Sequence, residues 1–325
     1  MLLQLRVTVP PGKTDEVREL FESDPGTAHL SVLPGASVSP EGDLVLADVA
    51  RESADGLIAA LRELRVPVDG AISIMSIDTA VSRAALEAEK QAPGDGSDAV
   101  VWEQVIRSTD ADSALSVSYV TFMTIATLLA GIAIINDSAI LTVGAMVLGP
   151  EFATLAALAV AVVHRRPAGA RQAATTLVVG FAVGIALTAL ATLAGRLIGW
   201  VDPGVLDQAR PQTGFITSPD RWSAVVAIFA GIAGVLSLTS SKSGALVGVF
   251  ISVTTVPAAA AVGVSMAHGR PDDVARGAIQ LGVNLGAILV AAVVTLAVQR
   301  AIWRRVPGTL PRMDGVVRGR GDRRG

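Results

Sequence analysis

A multi-pass α-helical membrane protein is the fold class this sequence predicts, and three observations carry the prediction. Hydrophobic residues make up 51% of the chain against 17% charged, a balance that ordinary soluble domains do not show. The surplus is uneven: residues 1–113 carry charge at normal density, whereas from Ala114 onward the chain runs in long apolar blocks. Six blocks, at 115–135, 139–163, 174–199, 222–240, 244–267 and 276–302, meet or approach the roughly 20 residues a span needs. The expected architecture is six transmembrane helices as a 3+3 inverted repeat with broken helices two and five, preceded by a ferredoxin-like α+β (βαββαβ) cytoplasmic domain.

Residues 1–79 are the expected front domain. LLQLRVTV (2–9) alternates like a strand and stops at Pro10-Pro11-Gly12, after which Thr14–Ser23 sets Val17, Leu20 and Phe21 on one helical face. His29–Leu33 and Asp43–Val49 read as strands on either side of a turn-rich stretch. Ser53–Leu64 repeats the helical pattern and Ala71–Ile77 closes as a strand, which completes a split βαββαβ order. By fold-level analogy such a domain binds a small ligand or joins copies into a homo-oligomer. The opening MLLQLRVTVPPG reads as a strand rather than a signal peptide, because its apolar run is short and lacks a small-residue cleavage site.

Residues 80–113 form a linker. A polar helix-like stretch is broken at Pro93-Gly94-Asp95-Gly96-Ser97, and a short amphipathic segment follows with Val101, Trp102, Val105 and Ile106 on one side. That segment is expected at the cytoplasmic interface, with Trp102 in the headgroup layer.

The transmembrane domain is read as 114–303. From Ala114 to Val163 the only charged residues are Asp137 and Glu151; Asp137 belongs to the tight Asn136-Asp137-Ser138 turn, so Glu151 stands alone inside a helix. AILTVGAM (139–146) is echoed by GALVGVFI (244–251), His164-Arg165-Arg166-Pro167 by His268-Gly269-Arg270-Pro271, and Trp200 by Trp303, at offsets of 103 to 105. Repeat one is thus 115–200 and repeat two 222–303. Three spans per copy force opposite orientations, an arrangement that in secondary transporters places the site at the midplane between the copies.

Arg165, Arg166 and Arg171, then Lys242, then Arg300, Arg304 and Arg305 fall on one side, which the excess of basic residues marks as cytoplasmic. The Asn136 turn, the 200–221 loop and the Arg270-Pro271-Asp272-Asp273 loop fall on the other. The N- and C-termini are therefore both expected on the cytoplasmic side of the cell (inner) membrane. The tail, 304–325, is expected to be a basic disordered extension able to touch anionic lipid.

Chemistry is expected where the helices break. Gly149-Pro150 interrupts span two, since proline removes a backbone donor, and Glu151 then sits in the first turn of the second half-helix. In span five, Thr254-Thr255-Val256-Pro257 provides a matching break, and Asn284, with Gln280 one turn before it, offers polar lining from span six. Interrupted helices expose N–H ends and free carbonyls that can hold an ion or a charged solute group. The candidate substrate- or ion-binding set is Gly149, Pro150, Glu151, Thr254, Thr255, Pro257 and Asn284. For Glu151 the competing reading is a structural acid held by the half-helix dipole, and for Thr254, Thr255 and Asn284 it is inter-helix hydrogen bonding. Gly180 with Gly184, and Gly282 with Gly286, read as close helix packing.

Several classes drop out. A net charge of −3 gives no field for nucleic acid, and the absence of cysteine removes disulfides, thiolate metal sites and cysteine nucleophiles. His164 and His268, as repeat equivalents, face opposite sides of the membrane, so no histidine metal site is expected. No span carries a Ser/His pair, an Asp pair or a metal-spaced His/Glu motif, so neither an enzyme nor a cofactor is expected.

Asn136–Pro150 (NDSAILTVGAMVLGP), GALVGV at 244–249 and Pro257 together resemble a bacterial uncharacterised hydrophobic membrane-protein family, the domain-of-unknown-function family 389. The likeness is good over about 115–270 and looser in the front domain. The family's first motif usually continues with an apolar residue after the proline and a second proline a turn later; here Glu151 and Thr154 stand in those places. The resemblance implies a multi-pass membrane protein and carries no substrate. The expected function is a transporter or channel for a small solute or ion with a midplane site between broken helices two and five, the alternative being a non-transporting scaffold or signalling protein.

Overall fold

The computed structural model describes residues 1–92, 99–217, 221–240 and 255–303. It separates into two compact units, the first built on Met1–Val105 and the second on Ile106–Leu238 and the later helical residues up to Gln299.

In the first unit, β1 (Leu2–Val9), α1 (Thr14–Ser23), β2 (Thr27–Val38), β3 (Glu41–Ala50), α2 (Arg51–Glu63), a single turn α3 (Val66–Asp69) and β4 (Ala71–Ser76) follow in order. The sheet is antiparallel with strand order β2-β3-β1-β4: β2 and β3 form a hairpin, and the helical connections from β1 to β2 and from β3 to β4 each cross over one strand. Leu3, Leu5, Val7 and Val9 of β1 meet Val17 and Phe21 of α1 and Leu57 and Leu61 of α2 in one core. A helix α4 (Arg83–Gln91), capped by the Ser82 hydroxyl on the Ala85 N–H, packs on β2 and β3.

The 80–113 segment is tied to the first unit at its centre. Val101 is fully buried in the front-domain core, and the Arg51 Nε–H donates to the Ala99 carbonyl at 2.7 Å. The helix α5 (Trp102–Asp112) is capped by Asp55, whose Oδ1 accepts the Trp102 N–H at 3.2 Å. The start of the amphipathic segment is therefore held by the front domain; the expected break at 93–97 lies outside the described residues.

Burial pushes the Asp55 carboxyl above its ordinary value, against the lowering pull of the Trp102 N–H. A folded pKa above the unfolded one means that the ionised form costs stability, and the cost sets in as pH rises past about 4, the unfolded value. Asp55→Asn keeps the acceptor and removes the charge, so melting of the full chain in detergent should lose that part of its pH slope, and the variant should melt no lower than wild type at pH 7. A clearly lower Tm at pH 7 would show that the charge itself is needed for the cap.

The second unit is helical: α6 (Val117–Ile135), α7 (Ala139–Leu148), α8 (Glu151–Val163), α9 (Pro167–Leu197), α10 (Arg221–Thr239), α11 (Val256–Ala267) and α12 (Pro271–Trp303). Among the described residues four helices, α6, α9, α10 and α12, are long and apolar enough to cross a membrane, and the pair α7 and α8, bent by 49° at its break, makes a fifth. The expected fifth span is described only in its second half, α11; the motif at 244–251, the Ser241-Lys242-Ser243 turn and Thr254 lie outside the described residues. Helices α9 and α12 run past their apolar windows into charged ends.

Small residues let these helices close up. A Cβ at Gly180 would lie 2.7 Å from the Tyr119 ring and one at Gly184 would lie 2.8 Å from the Thr127 hydroxyl, so α9 meets α6 through its Gly pair. The contact between α10 and α12 has the same form: a Cβ at Gly231 would lie 2.6 Å from the Ile288 carbonyl. Among the described residues nothing lies within 4 Å of a Cβ at Gly282 or Gly286, so the packing role expected of that pair is not seen there. The outward faces keep large apolar side chains such as Val178, Leu190, Phe229 and Val290 exposed, the surface of a protein that meets hydrocarbon.

The two ends of this unit are tied differently. At one end, the Asp137 carboxylate accepts from the Thr213 N–H, the Thr213 hydroxyl and the Gln212 N–H, and Arg270 pairs with Asp207. These bonds join the α6–α7 turn, the α9–α10 connection and the α11–α12 turn, the three segments that the charge pattern placed together. At the other end, Arg166 makes a two-pronged ion pair with Asp110 at 3.0 and 2.7 Å, and the Thr176 hydroxyl donates to the Ser113 carbonyl.

Candidate functional site

Pro150 cannot continue the α7 ladder, so α7 stops at Gly149 and the helix reopens at Glu151. α11 opens with Thr255 at its N-cap and Pro257 in its first turn. The structure brings these two helix starts together. The Thr255 hydroxyl donates to Glu151 Oε1 at 2.7 Å, with Thr255 fully buried and Glu151 only 1% exposed.

The half-helices run away from this junction in opposite directions. The C-terminal end of α11 meets that of α9, where the Arg196 guanidinium donates to the Ala267 carbonyl, while α8 ends at the turn that begins α9. With 13 and 12 residues, α8 and α11 are about 20 and 18 Å long. Each is somewhat longer than half of a hydrocarbon layer about 30 Å thick.

Gly149 is what allows the carboxylate its position. A Cβ at Gly149 would lie 2.2 Å from Glu151 Oε2 and 2.8 Å from Val256 Cγ2, so the Glu151 side chain folds back over the break and α11 closes on it from the far side. Glu151 has the further advantage of the first turn of α8, whose N–H groups have no acceptor within the helix and favour a negative charge.

Two residues not singled out from the sequence join this group. The Tyr119 phenol of α6, laid over Gly180, interacts with Thr154 and feels the Glu151 carboxylate. Thr154 lies one turn after Glu151 and is fully buried, and among the described residues neither its hydroxyl nor that of Tyr119 makes a hydrogen bond of normal geometry. The i, i+3 spacing of Thr154 from Glu151 was a usable signal; Tyr119, the only tyrosine in the chain, carried none beyond that. Asn284 is fully buried on α12 and accepts from the Gln280 amide at 3.4 Å. Thr254 lies outside the described residues.

The turns that end α8 and α11 have one form. The His164 and His268 Nδ1 atoms bond the Val160 and Val264 carbonyls, Arg165 and Gly269 are both left-handed, and a proline opens the next helix in each. Glu151 and Thr255 stand 104 residues apart, the same separation as the two histidines. The α6–α9 contact of Thr127 with Gly184 and the α10–α12 contact of Gly231 with Ile288 are related by that same offset.

In the front domain His29 bridges Asp48 Oδ2 and the Ser82 hydroxyl, each at 2.9 Å. Gln4 holds the other oxygen of Asp48, and the Ser82 oxygen already accepts the Ala85 N–H as the cap of α4, so the chain of bonds ties α4 to the sheet.

The family model for a domain of unknown function, DUF389, matches residues 146–290. The uncharacterised protein MJ0678 of Methanocaldococcus jannaschii is 26% identical over 208 residues, 64% of this chain and 61% of that relative, so the match spans about three fifths of the relative's length. That relative is archaeal, so it does not bear out the bacterial origin expected of the family. No solved structure matches. Glu151, Thr255 and Asn284 all fall inside the stretch that is similar to DUF389, which runs from the end of α7 into α12 of this membrane protein.

Proposed function

We propose that the chain is a membrane transporter or channel for a small solute or ion, built as six spans in a 3+3 inverted repeat, with its site where broken helices two and five meet. The observation that carries this reading is the hydrogen bond between Glu151 and Thr255 at the facing N-termini of two half-helices. An intramembrane carboxylate is costly and is kept where it binds or relays something. Inversion is supported by the common form of the two turns, by their position at opposite ends of the helical unit, and by the shared 104-residue offset. Arg165, Arg166 and Arg171 support a cytoplasmic α8–α9 turn and, with it, cytoplasmic chain termini. The front domain would sense a ligand or join copies.

The burial of Glu151 and Thr255 also favours a second reading, a scaffold or signalling protein whose broken helices merely pack. Flux measurements on the purified chain in liposomes separate the two. A panel of small ions and organic acids should yield at least one solute whose movement depends on the protein and whose pH dependence Glu151→Gln abolishes. Silence across the panel from folded protein supports the scaffold.

A further inference from the structure

The inference concerns the species that the junction takes, and it rests on the transport reading above. The helix ends that face one another are both N-termini, and that of α8 carries roughly half an elementary positive charge and N–H groups without helical acceptors. The carbonyl end of α7 lies across the break and offsets part of that charge. The hydroxyls gathered here, Thr255, Thr154 and Tyr119, can all donate; those of Thr154 and Tyr119, both more than nine-tenths buried beside Glu151, make no hydrogen bond of normal geometry among the described residues. Against these donors stands one negative group, the Glu151 carboxylate, which folds back over Gly149 and takes the Thr255 hydrogen bond. Among the described residues a cation would sit among donors and against the positive end of α8, with a single carboxylate to hold it. An anion would find the donors it needs, in a place that a carboxylate already fills.

We propose that the Glu151–Thr255 junction is a site for a small monovalent anion, which the Glu151 carboxylate occupies in the resting state and vacates when it is protonated. The step balances: one proton binds a carboxylate oxygen, the Thr255–Glu151 hydrogen bond breaks, and the incoming anion accepts the donors that Glu151 releases. One proton and one anion enter together, and the net charge of the junction is unchanged. No other group of α6, α7, α8, α9 or α11 competes for the proton at this depth. Beyond the Tyr119 phenol, the titratable residues of these helices and of α12 are Arg171, Arg196, Asp272, Asp273, Arg276 and Arg300, all near helix ends.

Bromide binding to the full chain in detergent, followed by titration calorimetry at pH 7.5, tests the site without requiring transport. Glu151→Ala should bind bromide at least tenfold more tightly than wild type, and Glu151→Gln, which keeps the volume and loses the charge, should also gain. Folded variants that bind no better than wild type overturn the anion site. In liposomes, chloride and nitrate efflux by wild type should rise about tenfold from pH 7.5 to pH 5 with accompanying proton movement, and Glu151→Gln should be fast at both pH values and move no protons. Flux of potassium or sodium that depends on Glu151, with none of anions, overturns this inference and leaves the transport reading standing. No flux of any solute overturns the transport reading, and the bromide titration then decides the site by itself.

Discussion

Gly149→Val should lower the melting temperature of the full chain in detergent by about 10 °C, which corresponds to about 3 kcal/mol in a helical unit of this size. The backbone is not the reason. Gly149 has φ −68 and ψ 122, open to any residue. The reason is space: the first carbon added would stand 2.2 Å from Glu151 Oε2 and 2.8 Å from Val256 Cγ2. Either α11 withdraws from the break or the carboxylate leaves its place and its bond to Thr255, and a buried charged group that loses such a bond costs about 1.5–3 kcal/mol. Gly149→Ala separates these contributions. In wild type it should cost most of what valine costs, whereas in a Glu151→Ala background, where Oε2 is gone, its penalty should fall by at least half. Equal penalties in both backgrounds would mean that Val256 alone sets the limit, and Gly149 would then have no part in holding Glu151.

That coupling could not be read from the sequence, although its members could. Gly149-Pro150 announces a break because proline lacks an N–H, Glu151 is the lone intramembrane acid, and Thr255 and Pro257 fall at the matching place one repeat later. The 104-residue offset was visible as well. An offset in sequence does not say which residues touch. The contact of Glu151 with Thr255 is a fact of packing between half-helices.

A similar limit explains the linker. The spacing of Val101, Trp102, Val105 and Ile106 fixes an apolar face, and the structure has that face, but periodicity names no partner. Val101 joins the core of the first unit because Asp55 caps the helix there and Arg51 holds the preceding carbonyl. The antiparallel β2-β3-β1-β4 sheet was closer to the surface of the sequence, because alternation, turn residues and two short amphipathic helices leave few ways to close a four-stranded layer. Helix ends were the least legible. Hydropathy marks the part of α9 and α12 that meets lipid, and both helices extend beyond it on charged residues.

Asp137→Ala should be nearly as damaging as the change at Gly149, by a different route. Asp137 holds a left-handed backbone, φ 44, in the α6–α7 turn, and its carboxylate accepts from the Thr213 N–H at 2.9 Å, the Thr213 hydroxyl at 2.8 Å and the Gln212 N–H at 3.2 Å. Gln212 answers by accepting the Ala139 N–H that opens α7. Loss of the charge-assisted bonds costs about 1.5–3 kcal/mol and the left-handed backbone adds about 1 kcal/mol for alanine. Three variants divide the total. Asn keeps the backbone preference and one acceptor, Gly keeps only the backbone, and Ala keeps neither, so Tm should fall in the order Asn, Gly, Ala. Hydrogen exchange should rise chiefly over 205–217, because that connection inserts Val205, Leu206 and Ile216 into the helical core and is held at its far end by Asp137. If the three variants melt alike and protection over 205–217 is unchanged, the carboxylate does not clamp the connection, and the apolar insertion alone must hold that end of the helices closed.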